Sequence, residues 1–279
     1  MHRLAVIAIA ALALAGCATT PAVDDGRVHV VASTNVYGSL VEAVGGDLVD
    51  VTSLIDSPAQ DPHSFEASAQ NQLAVSKADL VIENGGGYDD FVGTLLDAAS
   101  GDAVVINAAD VVALADGANE HLWYNLPAMS LVIGEIARNL SELDPDNYES
   151  YYANADALDG SLQALEDSVA GVGAGRQAAI TEPVPLYLLE LAGFENITPD
   201  EFSEAIEEGT DVPPAVLRDT LDSITGAALL AYNSQTASPE TEQLRAAAED
   251  ASVPVVEFTE TLPAGEDYLS WMTANVAAL

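Results

Sequence analysis

The sequence predicts an α/β protein of two lobes, each with a mostly parallel sheet flanked by helices, joined by one long backbone helix. The chain has 279 residues, which is enough for two α/β domains of ordinary size. Short β-rich runs alternate with helical segments in both halves, a pattern typical of parallel sheets. Residues 147–170 contain no proline, and about 24 helical residues would extend roughly 36 Å. This segment is therefore long enough to connect two lobes.

The first half alternates strand and helix four times. Gly45 and Gly46 end the first helix, and Pro127 suits the start of the last one. Residues 108–119 are predicted to be a loop. We expect strands at 28–32, 49–54, 78–83 and 103–107, and helices at 36–44, 69–76, 89–99 and 126–140.

The second half repeats the alternation, so the cleft between two similar units is the expected binding site. The predicted domains are a first lobe over 27–144, a linking helix over 145–172 and a second lobe over 173–279. Residues 199–208 are expected to be partly helical. The other predicted elements are strands at 178–181, 194–197, 227–232 and 253–258, and helices at 186–192, 213–224, 239–251 and 267–277.

The N-terminus has the pattern of a secretory signal peptide. Arg3 precedes an apolar run over 4–14, which is too short for the alternative of a transmembrane anchor. The sequence Leu14-Ala15-Gly16-Cys17 resembles a bacterial lipobox. We therefore expect residues 1–17 to be a lipoprotein signal peptide, Cys17 to carry the lipid, and 18–26 to be a flexible tether. The protein should then be extracytoplasmic and anchored to the cell membrane.

The charge balance excludes one class of partner. Seven Lys and Arg residues against 45 Asp and Glu give a formal net charge of -38. Nucleic acid needs clustered basic side chains, so we expect no nucleic-acid binding. For most of these carboxylates a solvated acidic surface is the simpler interpretation.

Two histidines are candidate metal ligands. His63 and His121 lie in predicted loops, whereas His29 lies within a strand and is expected to be structural. Cys17 is the single cysteine, which argues against thiolate zinc and iron–sulfur sites. Glu182 and Glu260 each follow an apolar strand, but position alone selects them only weakly among so many carboxylates.

Several stretches of the sequence together narrow that choice. They are 30–38, 45–47, Asp61-Pro62-His63-Ser64-Phe65-Glu66, 77–81, Asn84-Gly85-Gly86-Gly87-Tyr88-Asp89, His121-Leu122-Trp123-Tyr124 and Gly265-Glu266-Asp267-Tyr268. In these stretches the chain resembles the zinc/manganese-type solute-binding lipoproteins of metal ABC transporters. The resemblance implies two α/β lobes, one ligand from each of four loops, a monomer, an ABC permease as partner and no enzymatic turnover. The metal ligands it implies are His63, His121, Glu182 and Glu260.

The resemblance also bears on which ion is the transported ligand, Mn²⁺ or Zn²⁺. Zinc binders of the family usually have histidine at the third position, whereas Glu182 matches the glutamate of many manganese binders. Glu260 departs from the usual aspartate by one methylene. Two imidazoles and two carboxylates form a hard, oxygen-rich set that favours manganese, although the Irving–Williams order favours zinc.

Two other functions use the same features. A metallohydrolase could hold zinc with the same His and Glu residues, but the sequence has no H-E-x-x-H segment. A surface adhesin would need only the lipid anchor and the acidic surface, and it is compatible with metal binding.

Overall fold

The computed structural model describes residues 26–60, 62 and 65–279. The predicted signal peptide, Cys17 and the predicted tether up to residue 25 lie outside the described residues, as does His63. Within the described part, no helix is long and apolar enough to cross a bilayer.

The first lobe is built on a parallel sheet with the strand order β2-β1-β3-β4. Val31 on β1 pairs with Thr52 on β2 and with Val81 on β3, which fixes the register of the central strands. The strands are β1 (Val28–Thr34), β2 (Val49–Ile55), β3 (Leu80–Glu83) and β4 (Val104–Asn107), and the helices are α1 (Asn35–Gly45), α2 (Ala69–Val75), α3 (Phe91–Ala98), α4 (Ala108–Val111) and α5 (Leu126–Leu143).

The second lobe repeats this plan with the strand order β6-β5-β7-β8, again all parallel. Because neighbouring strands run the same way, their carboxyl ends meet at one edge of the sheet. The strands are β5 (Gln177–Ile180), β6 (Glu195–Asn196), β7 (Leu229–Asn233) and β8 (Val255–Phe258), and the helices are α7 (Leu186–Ala192), α8 (Asp200–Glu207), α9 (Pro214–Ser223), α10 (Pro239–Asp250) and α11 (Tyr268–Ala277).

The long helix α6 (Tyr148–Val169) joins the lobes. Its buried side chains recur every three or four positions, as one face of a helix requires. That face belongs to a single hydrophobic core that also includes Ile82 of the first sheet and Ile180 of the second. The predicted fold class, two parallel-sheet lobes joined by a long helix, is confirmed. The buried residues of α6 are Tyr151, Ala155, Leu158, Leu162, Leu165 and Val169.

One local prediction is wrong. The predicted loop over 108–119 begins with the helical turn α4. The side chain of Asn107 accepts a hydrogen bond from the backbone N–H of Asp110 at 3.0 Å and caps this turn. Sequence periodicity cannot reveal so short a helix, because it contains barely more than one turn.

Replacing Leu162 tests how strongly α6 holds the core. Its side chain is fully buried, so Leu162→Ala should lower the free energy of unfolding by about 2–5 kcal/mol. Gln163→Ala is the matched control, because Gln163 is exposed and makes one surface hydrogen bond with Asp159. Urea unfolding of both variants measures the difference, and equal stability would show that α6 does not depend on this face.

Candidate metal centre

Three of the four predicted ligands lie in the region between the lobes. His121 follows the loop after α4, Glu182 follows β5 and Glu260 follows β8. His121 is 0% exposed, and Glu182 and Glu260 are each 2% exposed. Buried ionisable side chains are rare unless another group compensates their charge. The fourth predicted ligand, His63, lies outside the described residues and stays a prediction.

The orientation of the His121 ring is fixed by Asn119. Asn119 donates its Nδ2–H to the carbonyl oxygen of Pro183 at 3.0 Å, which leaves its Oδ1 facing His121. That oxygen lies 2.7 Å from His121 Nδ1 and 3.1 Å from the His121 backbone nitrogen. Since an amide oxygen only accepts, Nδ1 carries the proton. The nitrogen that can bind a metal in the neutral ring is therefore Nε2.

His121 Nε2 faces a carboxylate from the other lobe. Glu207, the last residue of α8, places its Oε1 3.2 Å from this nitrogen, and its side chain is 13% exposed. This contact spans 86 positions of the chain by residue number. Glu207 was absent from the predicted ligand set.

Aromatic rings pack around the imidazole. The ring centroids of Tyr88 and Trp123 lie 5.9 Å and 5.1 Å from that of His121. The loop before His121 is held by Asn84, whose Nδ2–H donates to the Glu120 carbonyl at 2.9 Å. These contacts fix His121 in a buried pocket, where a charge interacts more strongly than in water.

Three adjacent strands of the second sheet bring the two predicted carboxylates together. β7 lies between β5 and β8, so its last residue, Asn233, lies between Glu182 and Glu260. Asn233 Nδ2 donates to Glu182 Oε2 at 2.5 Å and to Glu260 Oε1 at 2.9 Å. One amide nitrogen thus holds one oxygen of each carboxylate.

Each carboxylate has further partners. Glu182 Oε2 also accepts from Thr236 Oγ1 at 2.5 Å. Glu260 Oε2 accepts from the hydroxyl of Tyr88, in the first lobe, at 3.2 Å. The Glu260 backbone N–H donates to Gln235 Oε1, and Gln235 Nε2 donates to the Pro58 carbonyl of the first lobe at 3.0 Å. The positions of the second-lobe carboxylates are thus coupled to the first lobe.

Burial and the neighbouring charges shift the pKa values of Glu182 and His121. Burial raises the pKa of Glu182 to about 7, and the charges of Glu207 and Glu260 add to this rise while the hydrogen bonds from Thr236 and Asn233 oppose it. Burial alone would lower the pKa of His121, but the hydrogen bond and the charge of Glu207 outweigh it, so the pKa of His121 is raised. The centre therefore concentrates negative charge that a cation would stabilise.

His121, Glu182 and Glu260 do not by themselves form a ligating group. Among the described residues, no three His, Cys, Asp or Glu side chains stand in an arrangement that could hold a metal ion. The amide of Asn233 lies between the two carboxylates in this arrangement, as their shared hydrogen bonds require. Their donor types, imidazole nitrogen and carboxylate oxygen, nevertheless match the preferences of divalent first-row metals.

Sequence reasoning missed Asn233 and Glu207. Asn233 ends an apolar strand, and the rule that singled out Glu182 and Glu260, a polar residue after such a strand, would also have found it. Glu207 carries no such pattern, because it ends a helix within an acidic stretch.

The raised pKa of Glu182 predicts how stability depends on pH. Between its usual value of 4.5 and about 7, the folded protein retains a proton that the unfolded chain has lost, so stability falls as pH rises through this window. Glu182 alone should account for roughly 3 kcal/mol of this fall. His121 acts in the same direction, because a raised histidine pKa stabilises the fold at low pH.

Glu182→Gln should remove most of this dependence in chelator-treated protein. Urea unfolding at pH 5, 6, 7 and 8 measures it. The control is Glu190→Gln, which changes an exposed carboxylate on α7 and should preserve the wild-type profile. A Glu182→Gln protein with an unchanged profile would contradict the assignment.

An isosteric substitution tests whether the Asn233 amide, which donates to both Glu182 and Glu260, stabilises the cluster. Asn233→Asp replaces the amide between Glu182 and Glu260 with a third carboxylate, which should lower the free energy of unfolding at pH 8 by about 3–5 kcal/mol. At pH 5 the loss should be smaller, because the cluster can take up a proton. Asn196→Asp, at the end of the edge strand β6, is the control, and similar losses in the two variants would refute the role of Asn233.

Comparison with known proteins places this chain among metal-binding receptors. Residues 30–279 match the model of the family described as zinc-uptake complex component A, periplasmic. The manganese-binding lipoprotein MntA of Halalkalibacterium halodurans is 31% identical over 217 residues, covering 74% of this chain and 72% of MntA. The manganese ABC transporter substrate-binding lipoprotein ScaA of Streptococcus gordonii is 24% identical over 315 residues, covering 98% of this chain and 95% of ScaA.

Solved structures share the fold. FpvC of Pseudomonas aeruginosa, a binding protein solved in complex with Mn²⁺, superposes with a TM-score of 0.74 at 23% identity, covering 90% of this chain and 96% of FpvC. The family match spans nearly all of the described residues, in agreement with the two-lobed architecture. The chain belongs to the family of periplasmic zinc-uptake component A proteins, the metal-binding components of ABC transporters.

Proposed function

We propose that this protein is a receptor that captures a divalent transition metal ion between its lobes and delivers it to an ABC permease for import. The observation that carries the proposal is the buried cluster of His121, Glu182 and Glu260, in which donors from both lobes face one region. His63 is proposed as the fourth ligand. Binding and release require no chemical turnover, so we propose no enzymatic reaction.

We propose manganese as the preferred ion over zinc. Carboxylates at Glu182 and Glu260 make the ligand set harder than one dominated by histidine. Two of the relatives described above are named for manganese, which supports this preference, although the family model is named for zinc.

We propose that the receptor is a monomer anchored outside the cytoplasm by a lipid on Cys17. The lipobox-like sequence before Cys17 supports this proposal, and so do the relatives, which are named lipoproteins. A lipid anchor holds the receptor at the membrane that contains its permease, and this raises the effective concentration of one for the other.

Metal-dependent thermal stabilisation tests the site. A ligand at 100 times its Kd adds about 2.7 kcal/mol to the stability of the folded state, which for a chain of this size raises Tm by roughly 5–10 °C. Mn²⁺ and Zn²⁺ should each produce such a shift in the wild type. His121→Ala and His63→Ala should abolish it.

The matched control is His29→Ala. His29 is a half-exposed histidine on β1 whose Nδ1 lies 3.4 Å from Asp50 Oδ2, far from the proposed centre in the sheet. This variant should retain the full shift. A His121→Ala protein with a wild-type shift for both metals would show that the metal binds elsewhere.

A further inference from the structure

Glu207 is placed where a carboxylate is unfavourable. It is the last residue of α8, and the carboxyl end of a helix carries partial negative charge that repels an anion. Its side chain is also 13% exposed, so it has lost most of its hydration. A carboxylate retained under both penalties indicates a compensating role.

The contact between Glu207 and His121 points to that role. Its Oε1 lies 3.2 Å from His121 Nε2, the nitrogen that the bond from Nδ1 to Asn119 leaves available for a metal. In the metal-free protein a proton on Nε2 can join the two groups. That proton must leave when a metal ion takes its place, because a ring nitrogen cannot hold both.

The spacing of the two atoms suits a shared ion. Donor atoms about 2.1 Å from one metal ion, at right angles to each other, are about 3 Å apart. His121 Nε2 and Glu207 Oε1 already have this separation. An ion bound to Nε2 would therefore meet the Glu207 carboxylate with little movement of either side chain.

We propose that Glu207, on α8 of the second lobe, is a fifth ligand of the transported metal. It would bind the same ion as His121 of the first lobe. This inference rests on the metal-binding function proposed above and adds a residue that the family resemblance does not supply. A cavity of about 380 Å³ opens beside Glu207 and is lined by further carboxylates, which gives a cation a route to the site. These are Glu120, Asp200, Glu204 and Glu208.

A fifth ligand makes the site selective. Zinc sites in proteins are usually complete with four ligands, whereas manganese favours oxygen-rich sites of higher coordination number. With Glu207 the set contains three carboxylates. The gain in affinity from Glu207 should therefore be larger for Mn²⁺ than for Zn²⁺.

Calorimetric titration of metal-free protein with MnCl₂ and ZnCl₂ tests the assignment. Glu207→Gln should weaken Mn²⁺ binding by at least about tenfold, and Zn²⁺ binding by less. The control is Glu201→Gln, which removes the same charge from an exposed residue of the same helix outside the cavity beside Glu207, and should change neither affinity by more than about twofold. Glu207→Asp keeps the charge but shortens the reach, so it should give an intermediate loss of Mn²⁺ affinity.

The possible results separate this inference from the proposed function. A wild-type protein that binds neither metal would refute the receptor function itself. Wild-type binding that is lost in His121→Ala but unchanged or tighter in Glu207→Gln would overturn the role of Glu207 alone. Circular dichroism and the melting temperature without metal verify that each variant is folded.

A crystal structure of the manganese-bound protein gives a readout independent of affinity. Glu207 Oε1 about 2.2 Å from the ion would support the assignment. Coordination completed without Glu207 would overturn it, whatever the titrations show.

Discussion

Repulsion among buried carboxylates is the constraint on which the centre depends. Glu182, Glu207 and Glu260 all belong to the second lobe. Burial raises the pKa of Glu182, and the charges of Glu207 and Glu260 add to this rise. Three anions that have lost most of their hydration need compensation. Part of it comes from the amide of Asn233, the hydroxyls of Thr236 and Tyr88 and the imidazole of His121. A divalent cation compensates buried carboxylates more strongly than neutral hydrogen-bond donors do, so binding one would stabilise this cluster.

The parallel sheets explain why these groups meet. Glu182, Asn233 and Glu260 follow or end three neighbouring strands of one sheet, and the strand order reverses direction between β5 and β7. Such a switch point opens a crevice at the carboxyl ends of the strands, where α/β proteins bind ligands. The first lobe contributes His121 and the hydroxyl of Tyr88 from across that crevice. The two lobes thus hold complementary parts of one electrostatic cluster.

Most of the fold could be predicted from the sequence, because its strands are short apolar runs and its helices are bounded by Gly, Pro and capping residues. The turn α4 could not, since a single turn has no detectable period. The ligand candidates Glu182 and Glu260 needed the family resemblance, because many carboxylates compete for such a role. Glu207 could not be found at all: its importance depends on α8 meeting the loop of His121, a contact between distant parts of the chain.

The continuous core around α6 limits how the receptor can exchange its cargo. Side chains from both sheets and from α6 belong to the same hydrophobic cluster, so a wide opening of the lobes would expose parts of it to water. Exposing about 400 Å² of apolar surface costs about 10 kcal/mol, which is comparable to the whole stability of a typical domain. Release through local displacement of the loops that end β5 and β8 therefore costs less free energy than separation of the lobes. A transporter that receives the ion would need to contact those loops directly, and the rest of the receptor could dock as a rigid body.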